Sequence, residues 1–221
     1  MARIMELNFE KNYSPNLFTW SELEYLVNIR PLMTADVVRQ KEDHRWGGSP
    51  WSQNPNTYPP TLLKEILDRQ VVHIRDMSRC TEKVNNFCKS LEDEYNKPVD
   101  AHIYICLNPS VEHPYGIHFD YSDNVIVQCE GSSIMKVWDK AEQDLVANIW
   151  GNDNIDAEKV NLGDPVMEVE MESGDAIWIP RHYPHEIISN ESRLSVSFPM
   201  DCDIDERRFN VEDRNWVKLN P

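Results

Sequence analysis

Hydrophobic and polar residues alternate along the second half of the chain, from residue 100 onward. The alternating segments are short and are separated by glycine, proline, asparagine and serine; they are 102–108, 124–129, 134–138, 166–171, 176–179, 185–189 and 194–198. A period of two is typical of strands that bury one face. No helical pattern lies between these segments, so the sequence predicts a β-sandwich or β-barrel and argues against a parallel α/β sheet.

The first hundred residues show helical spacing instead. Thr81–Tyr95 places Val84, Phe87, Cys88 and Leu91 three, four and seven residues apart, which predicts an amphipathic helix. Residues 61–70 repeat leucine and isoleucine at the same spacing. Ser21 and Glu24 have the spacing of a capping box, which predicts a short helix that ends before Pro31.

These patterns divide the chain into three parts. Residues 1–99 are predicted to be a helical N-terminal extension packed on a β core at 100–200, and 201–221 a charged tail. The fold class is therefore mainly β with a helical N-terminal part, an α+β arrangement. Residues 44–60 hold two tryptophans, a tyrosine, four prolines and a Gly-Gly pair, so they form no regular element. This aromatic loop is either a surface connection or a lid over a substrate site.

Composition excludes several classes of partner. The chain carries 22 Lys+Arg against 38 Asp+Glu, a net charge of −16, which repels nucleic acid and anionic membranes. No apolar run approaches the roughly 20 residues of a membrane span, and the first residues lack an apolar signal core. The five cysteines form no C-x-x-C pair, which indicates reduced thiols in a cytoplasmic protein.

The strongest candidate for chemistry is His118-Phe-Asp120 together with His185. Two imidazoles and one carboxylate can occupy one face of an iron or manganese octahedron and leave three positions for other ligands. Alternation places His118 and Asp120 on the same side of a strand, so both can reach one metal. His182, in the turn before His185, is a competing third ligand. The alternative is two surface histidines and a turn aspartate.

These residues carry a resemblance to a known family. Gly174, Pro180 and His185 match the second cupin motif, although His182 stands where glycine is usual. The segment from His118 is similar to the JmjC-type branch of the cupin superfamily, the iron(II) and 2-oxoglutarate-dependent oxygenases. That similarity rests on a set of positions with the same spacing: His118, Asp120, Asn124, Gln128, Gly131 and the final strand 194–198. It covers about residues 100–200.

The resemblance implies a double-stranded β-helix (a cupin or jelly-roll barrel) with iron held by His118, Asp120 and His185. It also implies that 2-oxoglutarate chelates the iron, is decarboxylated to succinate, and that a C–H bond of the substrate is hydroxylated. Asn124 is expected either to hydrogen-bond near the metal or to serve as a turn residue. Relatives of this branch commonly dimerise, so a homodimer is an expected assembly.

The distal carboxylate of 2-oxoglutarate needs a cation, and the sequence departs from the family here. The relatives carry Lys or Arg two residues after the hairpin glycine, where this chain has Ser133. Lys136 is near, but its odd offset from Ser133 predicts an outward side chain. Arg193 and Ser195 resemble the R-x-S pair of other 2-oxoglutarate oxygenases; alternatively Arg193 pairs with Glu191.

Tyrosines at two positions are candidates to donate a hydroxyl to the cosubstrate. Tyr104 lies on the strand before the metal motif, and Tyr115 lies three residues before His118. A tyrosine packed in the core is the alternative for either. Three functions follow: an iron(II)/2-oxoglutarate hydroxylase, a cupin metalloenzyme that does not use 2-oxoglutarate, and a non-catalytic ligand-binding cupin. The expected substrate of the hydroxylase is a basic peptide or protein segment, or a small molecule.

Overall fold

A computed structural model of the chain describes residues 3–29, 35–38, 71–75, 77–110, 116–139 and 162–200. The elements in chain order are β1 (Asn8–Glu10), α1 (Trp20–Ile29), β2 (Ala35–Val38), β3 (Val71–Ile74), α2 (Glu82–Tyr95), β4 (His102–Cys106), β5 (Asp123–Glu130), β6 (Ser133–Val137), β7 (Met167–Met171), β8 (Ala176–Ile179), β9 (His185–Ser189) and β10 (Arg193–Met200). The predicted helix at 61–70, the aromatic loop at 44–60, Tyr115 and the tail lie outside the described residues.

The strands form two antiparallel sheets. A seven-stranded sheet has the order β1-β8-β5-β10-β4-β3-β2, and a three-stranded sheet has the order β7-β6-β9. Apolar residues of the two sheets pack on one another in a cluster that contains Ile126 and Ile177 from the large sheet and Met135 and Ile187 from the small one. All seven predicted strands are present, and two packed sheets confirm the predicted mainly β fold class.

The two helices belong to a second, larger apolar cluster. Leu23 and Leu26 of α1 and Leu91 of α2 share this cluster with Val125 and Val196 of the large sheet. These two sheet residues alternate with Asn124 and Ser195, which line a cavity between the sheets. The helices therefore cover one face of the large sheet and leave its other face to the small sheet and the cavity.

Both described helices are capped by a threonine, and at α1 this cap differs from the predicted one. Thr81 caps α2, since its hydroxyl accepts the Val84 N–H at 3.1 Å. At α1 the predicted Ser21–Glu24 box is wrong by two residues: the Thr19 N–H donates to the Glu22 carboxylate at 2.9 Å, and Thr19 Oγ1 accepts the Glu22 N–H at 3.3 Å. Both pairs have the required spacing, so spacing alone could not distinguish them. Neither helix that the structure describes is long and apolar enough to cross a bilayer.

Three strands of the first 99 residues are not predicted by the sequence pattern. β1 adds to the large sheet beside β8, and β3 pairs with β4, with β2 beyond it. The N-terminal part is thus not purely helical, because it also extends the sheet. β1 has only three residues and the β3 segment Val71–Ile74 is buried at every position, so neither shows alternation.

Gly131 makes the tight β5–β6 hairpin. Its φ is +71°, and an added Cβ would collide with the Ser192 carbonyl oxygen and lie 3.1 Å from Arg193 Cα. Gly131→Ala is therefore expected to lower the free energy of unfolding by about 2–4 kcal/mol. Gly163→Ala is the control, since Gly163 has a φ of +67° with nothing within 4 Å of an added Cβ. Equal losses of stability in urea unfolding would contradict the expected collision.

Candidate functional site

Backbone hydrogen bonds bring the three predicted metal ligands together. His118 and His185 form an isolated bridge in which the His118 N–H donates to the His185 carbonyl at 3.0 Å and the reverse bond is 2.7 Å. The His182 N–H donates to the Asp120 carbonyl at 2.9 Å. One ligand atom from each of His118, Asp120 and His185 lies within 4.8 Å of the other two. The expectation of a regular strand at 118–120 is wrong, since only the His118 bridge joins a sheet there.

Each imidazole is oriented by a backbone carbonyl two residues before it. His118 Nδ1 lies 3.1 Å from the Gly116 carbonyl oxygen, and His185 Nδ1 lies 3.0 Å from that of Tyr183. Because a carbonyl can only accept, these bonds assign the ring proton to Nδ1 and leave the Nε2 lone pair available. His185 Nε2 is 3.8 Å from Asp120 Oδ2. The two nitrogens and the carboxylate thus face a common centre.

The protonation states at this centre suit a divalent metal. Burial, reinforced by the neighbouring His185, lowers the pKa of His118 to about 4, so its imidazole is neutral at physiological pH. Burial of Asp120 acts to raise the pKa of its carboxyl, but the two histidines and the Asn124 hydrogen bond outweigh it and the pKa falls. Neutral imidazoles and an ionised carboxylate are the forms that bind metal. The donor set therefore fits iron(II).

Asn124 braces the carboxylate ligand. Its amide nitrogen donates to Asp120 Oδ2 at 3.0 Å, and its amide oxygen accepts from Ser197 Oγ at 2.8 Å. Partners of this kind orient ligands, and their loss typically weakens metal binding 10- to 100-fold. Asn124→Ala is therefore expected to raise the Kd for Mn(II) by about 10-fold. Asn8→Ala, on the exposed edge strand β1, is the control; an unchanged Kd in Asn124→Ala would contradict the bracing role.

A cavity opens beside the three candidate ligands, between the two sheets. Its walls combine apolar side chains from both sheets with a polar stripe on the large sheet; the lining residues are Tyr104, His118, Asp120, Asn124, Ile126, Met135, His185, Ile187, Arg193, Ser195 and Ser197. The cavity thus brings the candidate ligand triad together with four of the five predicted cosubstrate residues, Tyr104, Asn124, Arg193 and Ser195.

Arg193 is a buried cation in this cavity. Its side chain is completely buried, with Nε donating to Ser189 Oγ at 2.8 Å and Nη1 to Ser195 Oγ at 2.7 Å. Nη2 is buried, and no group of the described residues accepts a hydrogen bond from it. Among the described residues no carboxylate forms an ion pair with Arg193, Glu191 included. Burial lowers the pKa of the guanidinium to about 10, so it remains charged at neutral pH.

A buried charge without a counter-ion is strongly unfavourable, and proteins normally pair it. Arg193, whose buried Nη2 has no hydrogen-bond partner among the described residues, lines the same cavity as the three candidate metal ligands. A ligand with a carboxylate would supply the missing charge and hydrogen bond. This arrangement suits a small dicarboxylate with one end at the metal and the other at Arg193.

The remaining candidates are placed differently by the structure. Tyr104 and Asn124 line the cavity. Lys136 does not; it lies on the alternate face of β6 from buried Ser133 and Met135, and its Nζ is 3.7 Å from Glu168 Oε2. The side chain points outward, as its odd offset from Ser133 predicts, so we exclude Lys136 from the proposed cosubstrate site. Ser133 is buried and donates to Gln128 Oε1 at 2.9 Å, a bond inside the hairpin.

His73 lies next to Tyr104, which lines the cavity, but no sequence motif surrounds it. It lies in β3 directly opposite Tyr104, and the two rings stack with centroids 4.3 Å apart and an interplanar angle of 9°. Its position one strand beyond Tyr104 depends on pairing between β3 and β4. The only sequence signal is a polar residue in an apolar run, Val71-Val-His-Ile74, which is also compatible with a satisfied core histidine.

The buried state of His73 predicts a pH-dependent stability. Burial, with smaller contributions from His102 and Arg75, lowers the pKa of His73 well below 6.5. The unfolded state therefore binds more protons below about pH 6.5, and each pH unit there removes up to about 1.4 kcal/mol of stability. In the metal-free protein, His73→Phe is expected to reduce the fall in urea-unfolding free energy between pH 7 and pH 5. An equal fall in the unfolding free energy of wild type and His73→Phe would contradict this expectation.

The chain is similar to known proteins in sequence and in structure. A family model described as the JmjC domain matches residues 75–204. A bifunctional lysine-specific demethylase and histidyl-hydroxylase NO66 of Caenorhabditis briggsae is 26% identical over 166 residues, which cover 74% of this chain and 20% of that protein. Ribosomal oxygenase 1 of Danio rerio is 28% identical over 96 residues, 43% of this chain and 17% of that protein. This chain thus spans about a fifth of the length of these relatives.

Among solved structures, the ribosomal oxygenase YcfD from Escherichia coli in complex with cobalt and 2-oxoglutarate superposes with a TM-score of 0.60 at 17% identity. The match covers 90% of this chain and 49% of that one. At this identity the likeness shows a shared fold, which agrees with the predicted double-stranded β-helix.

Proposed function

Because the chain belongs to the JmjC domain family, we propose that it is an oxygenase that uses iron(II) and 2-oxoglutarate to hydroxylate its substrate. The observation that carries the proposal is the buried Arg193, which lines the same cavity as the three converging side chains and whose Nη2 has no partner within the described part of the chain. A metal triad alone would suit many cupins. A cation without a counter-ion beside that triad calls for a ligand with a second negative end.

The chain's own residues have defined roles in this proposal. His118, Asp120 and His185 would hold the iron, with both imidazole rings oriented by backbone carbonyls and His118 kept neutral by burial. Arg193 would receive the distal carboxylate of 2-oxoglutarate, with Ser195 holding the guanidinium in place at 2.7 Å. When bound, iron and 2-oxoglutarate would supply the redox chemistry, in which the cosubstrate loses carbon dioxide and takes up one oxygen atom of dioxygen to become succinate, while the other oxygen atom enters a C–H bond of the substrate.

The apolar walls of the cavity exclude water. Ile126, Met135 and Ile187 surround the polar groups with apolar surface. A reactive site shielded in this way protects the substrate-bound state from side reactions and strengthens the charge interactions of Arg193. The protein thus provides placement and shielding, while the bound groups provide the oxidation.

The test is turnover of 2-oxoglutarate without a prime substrate. Protein reconstituted anaerobically with iron(II) and then exposed to air is expected to form succinate slowly, measured by mass spectrometry. Calorimetry with Mn(II)-loaded protein should show binding of 2-oxoglutarate. Metal binding with neither succinate formation nor 2-oxoglutarate binding would contradict the proposal and favour a cupin that does not use this cosubstrate.

For the substrate we propose a side chain in a basic protein segment. The net charge of −16 favours association with basic partners, and the names of the relatives include a histidyl-hydroxylase and a ribosomal oxygenase. Histidine-containing peptides rich in Lys and Arg are expected to gain one oxygen atom, detected by mass spectrometry. Peptides of the same length with Glu in place of Lys and Arg are the control, and equal oxidation of both sets would contradict selection by charge.

We also propose a reducing compartment such as the cytoplasm. The cysteines that the structure describes, Cys80, Cys88, Cys106 and Cys129, are all free thiols, which supports this location. The expected homodimer is tested by light scattering of the purified protein.

A further inference from the structure

The ring of His73 is held by packing on its flat face. It stacks in parallel on Tyr104, and the ring of His102 leans against it with centroids 4.9 Å apart at 53°. His102 is in turn tied to Asp100, whose Oδ2 lies 3.1 Å from His102 Nε2. His73 is only 7% exposed, and its Nε2 has no hydrogen-bond partner within the described part of the chain.

An imidazole whose buried nitrogen makes no hydrogen bond is not positioned by that nitrogen. Burial of such a group is unfavourable by about 1–3 kcal/mol, so the nitrogen contributes nothing favourable to the fold. What His73 supplies is a rigid planar surface of the size of an aromatic ring. Phenylalanine has the same planar shape without the unsatisfied nitrogen, so it should replace His73 in this role.

The surface that His73 supports reaches the cavity through Tyr104. In the sheet Tyr104 lies opposite Ser195, and Ser195 accepts the hydrogen bond from Arg193 Nη1. Tyr104 lines the same cavity as Arg193 and Ser195. A tyrosine ring packed on one face has fewer orientations available, so the positions that its hydroxyl can take in the cavity lined by Arg193 are restricted.

We propose that His73 is a positioning residue for the cosubstrate, which acts by holding Tyr104 so that its hydroxyl donates to the carboxylate end received by Arg193. The inference rests on the proposed function. It extends the site to β3, one strand beyond the cavity wall, and assigns a role to a buried residue that touches neither metal nor cosubstrate.

The experiment measures 2-oxoglutarate binding by calorimetry to Mn(II)-loaded protein, with His73→Leu and His73→Phe as the matched pair. Leucine fills the space without a planar face and is expected to raise the Kd about 10-fold, since a hydrogen bond to a charged group is partly lost. Phenylalanine should keep the Kd within about 2-fold of the wild-type value. In turnover, His73→Leu should raise the KM for 2-oxoglutarate and leave kcat unchanged.

Two controls separate positioning from general damage. Tyr104→Phe removes the hydroxyl, and adding His73→Leu to it should weaken binding no further. The affinity for 2-oxobutyrate, which has the 2-oxo acid end and no distal carboxylate, should be the same in wild type and His73→Leu. Mn(II) binding should also be unchanged.

The inference is overturned if His73→Leu binds 2-oxoglutarate as wild type does, if His73→Phe fails to restore binding, or if the two substitutions add in the double variant. Failure of the proposed function looks different, because then the wild-type protein itself, loaded with Mn(II), does not bind 2-oxoglutarate.

Discussion

Replacing His185 with alanine is expected to reduce metal affinity by at least about 100-fold and to stop succinate formation. His185 supplies one of only two imidazoles in the triad, and its backbone also anchors the bridge to His118. Alanine keeps the backbone bonds and removes the nitrogen donor, so the loss should be confined to the metal. Kd values for Mn(II) from calorimetry and succinate by mass spectrometry provide the measurement.

His182→Gly is the matched control for this variant. His182 lies in the same turn, has a φ of +67° that glycine adopts readily, and its ring packs edge-on against Phe119 and Tyr121 with centroids 5.8 Å away from each. Metal affinity should therefore survive this change. If His182→Gly abolished metal binding while His185→Ala retained it, the third ligand would be His182 and the proposed triad would be wrong.

Replacing Arg193 with methionine is expected to weaken 2-oxoglutarate binding by at least about 100-fold while Mn(II) binding persists, because a buried charge pair with the ligand is lost. Thermal stability should not fall, since the variant removes a buried cation that has no counter-ion in the described residues. Arg193→Lys should bind the cosubstrate at an intermediate level, because an ammonium cannot reproduce the fork that also contacts Ser189 and Ser195.

Lys136→Met is the control for the loss of positive charge. Lys136 is the other cation considered for the distal carboxylate, yet its side chain is paired with Glu168 on the outer face of β6. Its substitution should leave the Kd for 2-oxoglutarate unchanged. A large effect of Lys136→Met together with a small effect of Arg193→Met would reverse the assignment of the cation.

Much of the fold follows from local pattern. The helix at Thr81–Tyr95 and seven strands are present where the spacing of apolar residues predicts them, within two residues at each end. A segment that buries one face shows this in the spacing of its own apolar residues. The strands β1 and β3 show no such spacing, because β1 has only three residues and β3 is buried at all four positions.

The candidate metal ligands are predictable from the sequence because metal binding limits the choice of residue types. Histidine and aspartate at 118, 120 and 185 combine with a motif that marks the last of them, and the three side chains do converge. For the distal carboxylate of the cosubstrate the sequence offers two cations, Lys136 and Arg193, and strand parity predicts that Lys136 points outward. What favours Arg193 in the structure is its burial and the lack of an acidic partner among the described residues, which are properties of the packed sheets.

The sequence by itself determined the types of element, the residues able to bind a metal and the excess of negative charge, because each depends on the residues themselves or on their nearest neighbours. The tertiary structure alone decided that Asn124 donates to Asp120, that Arg193 is buried without an acidic partner among the described residues, and that His73 stacks on Tyr104. These contacts join residues on different strands or across a loop. They depend on strand order and register, which no single segment of the chain encodes.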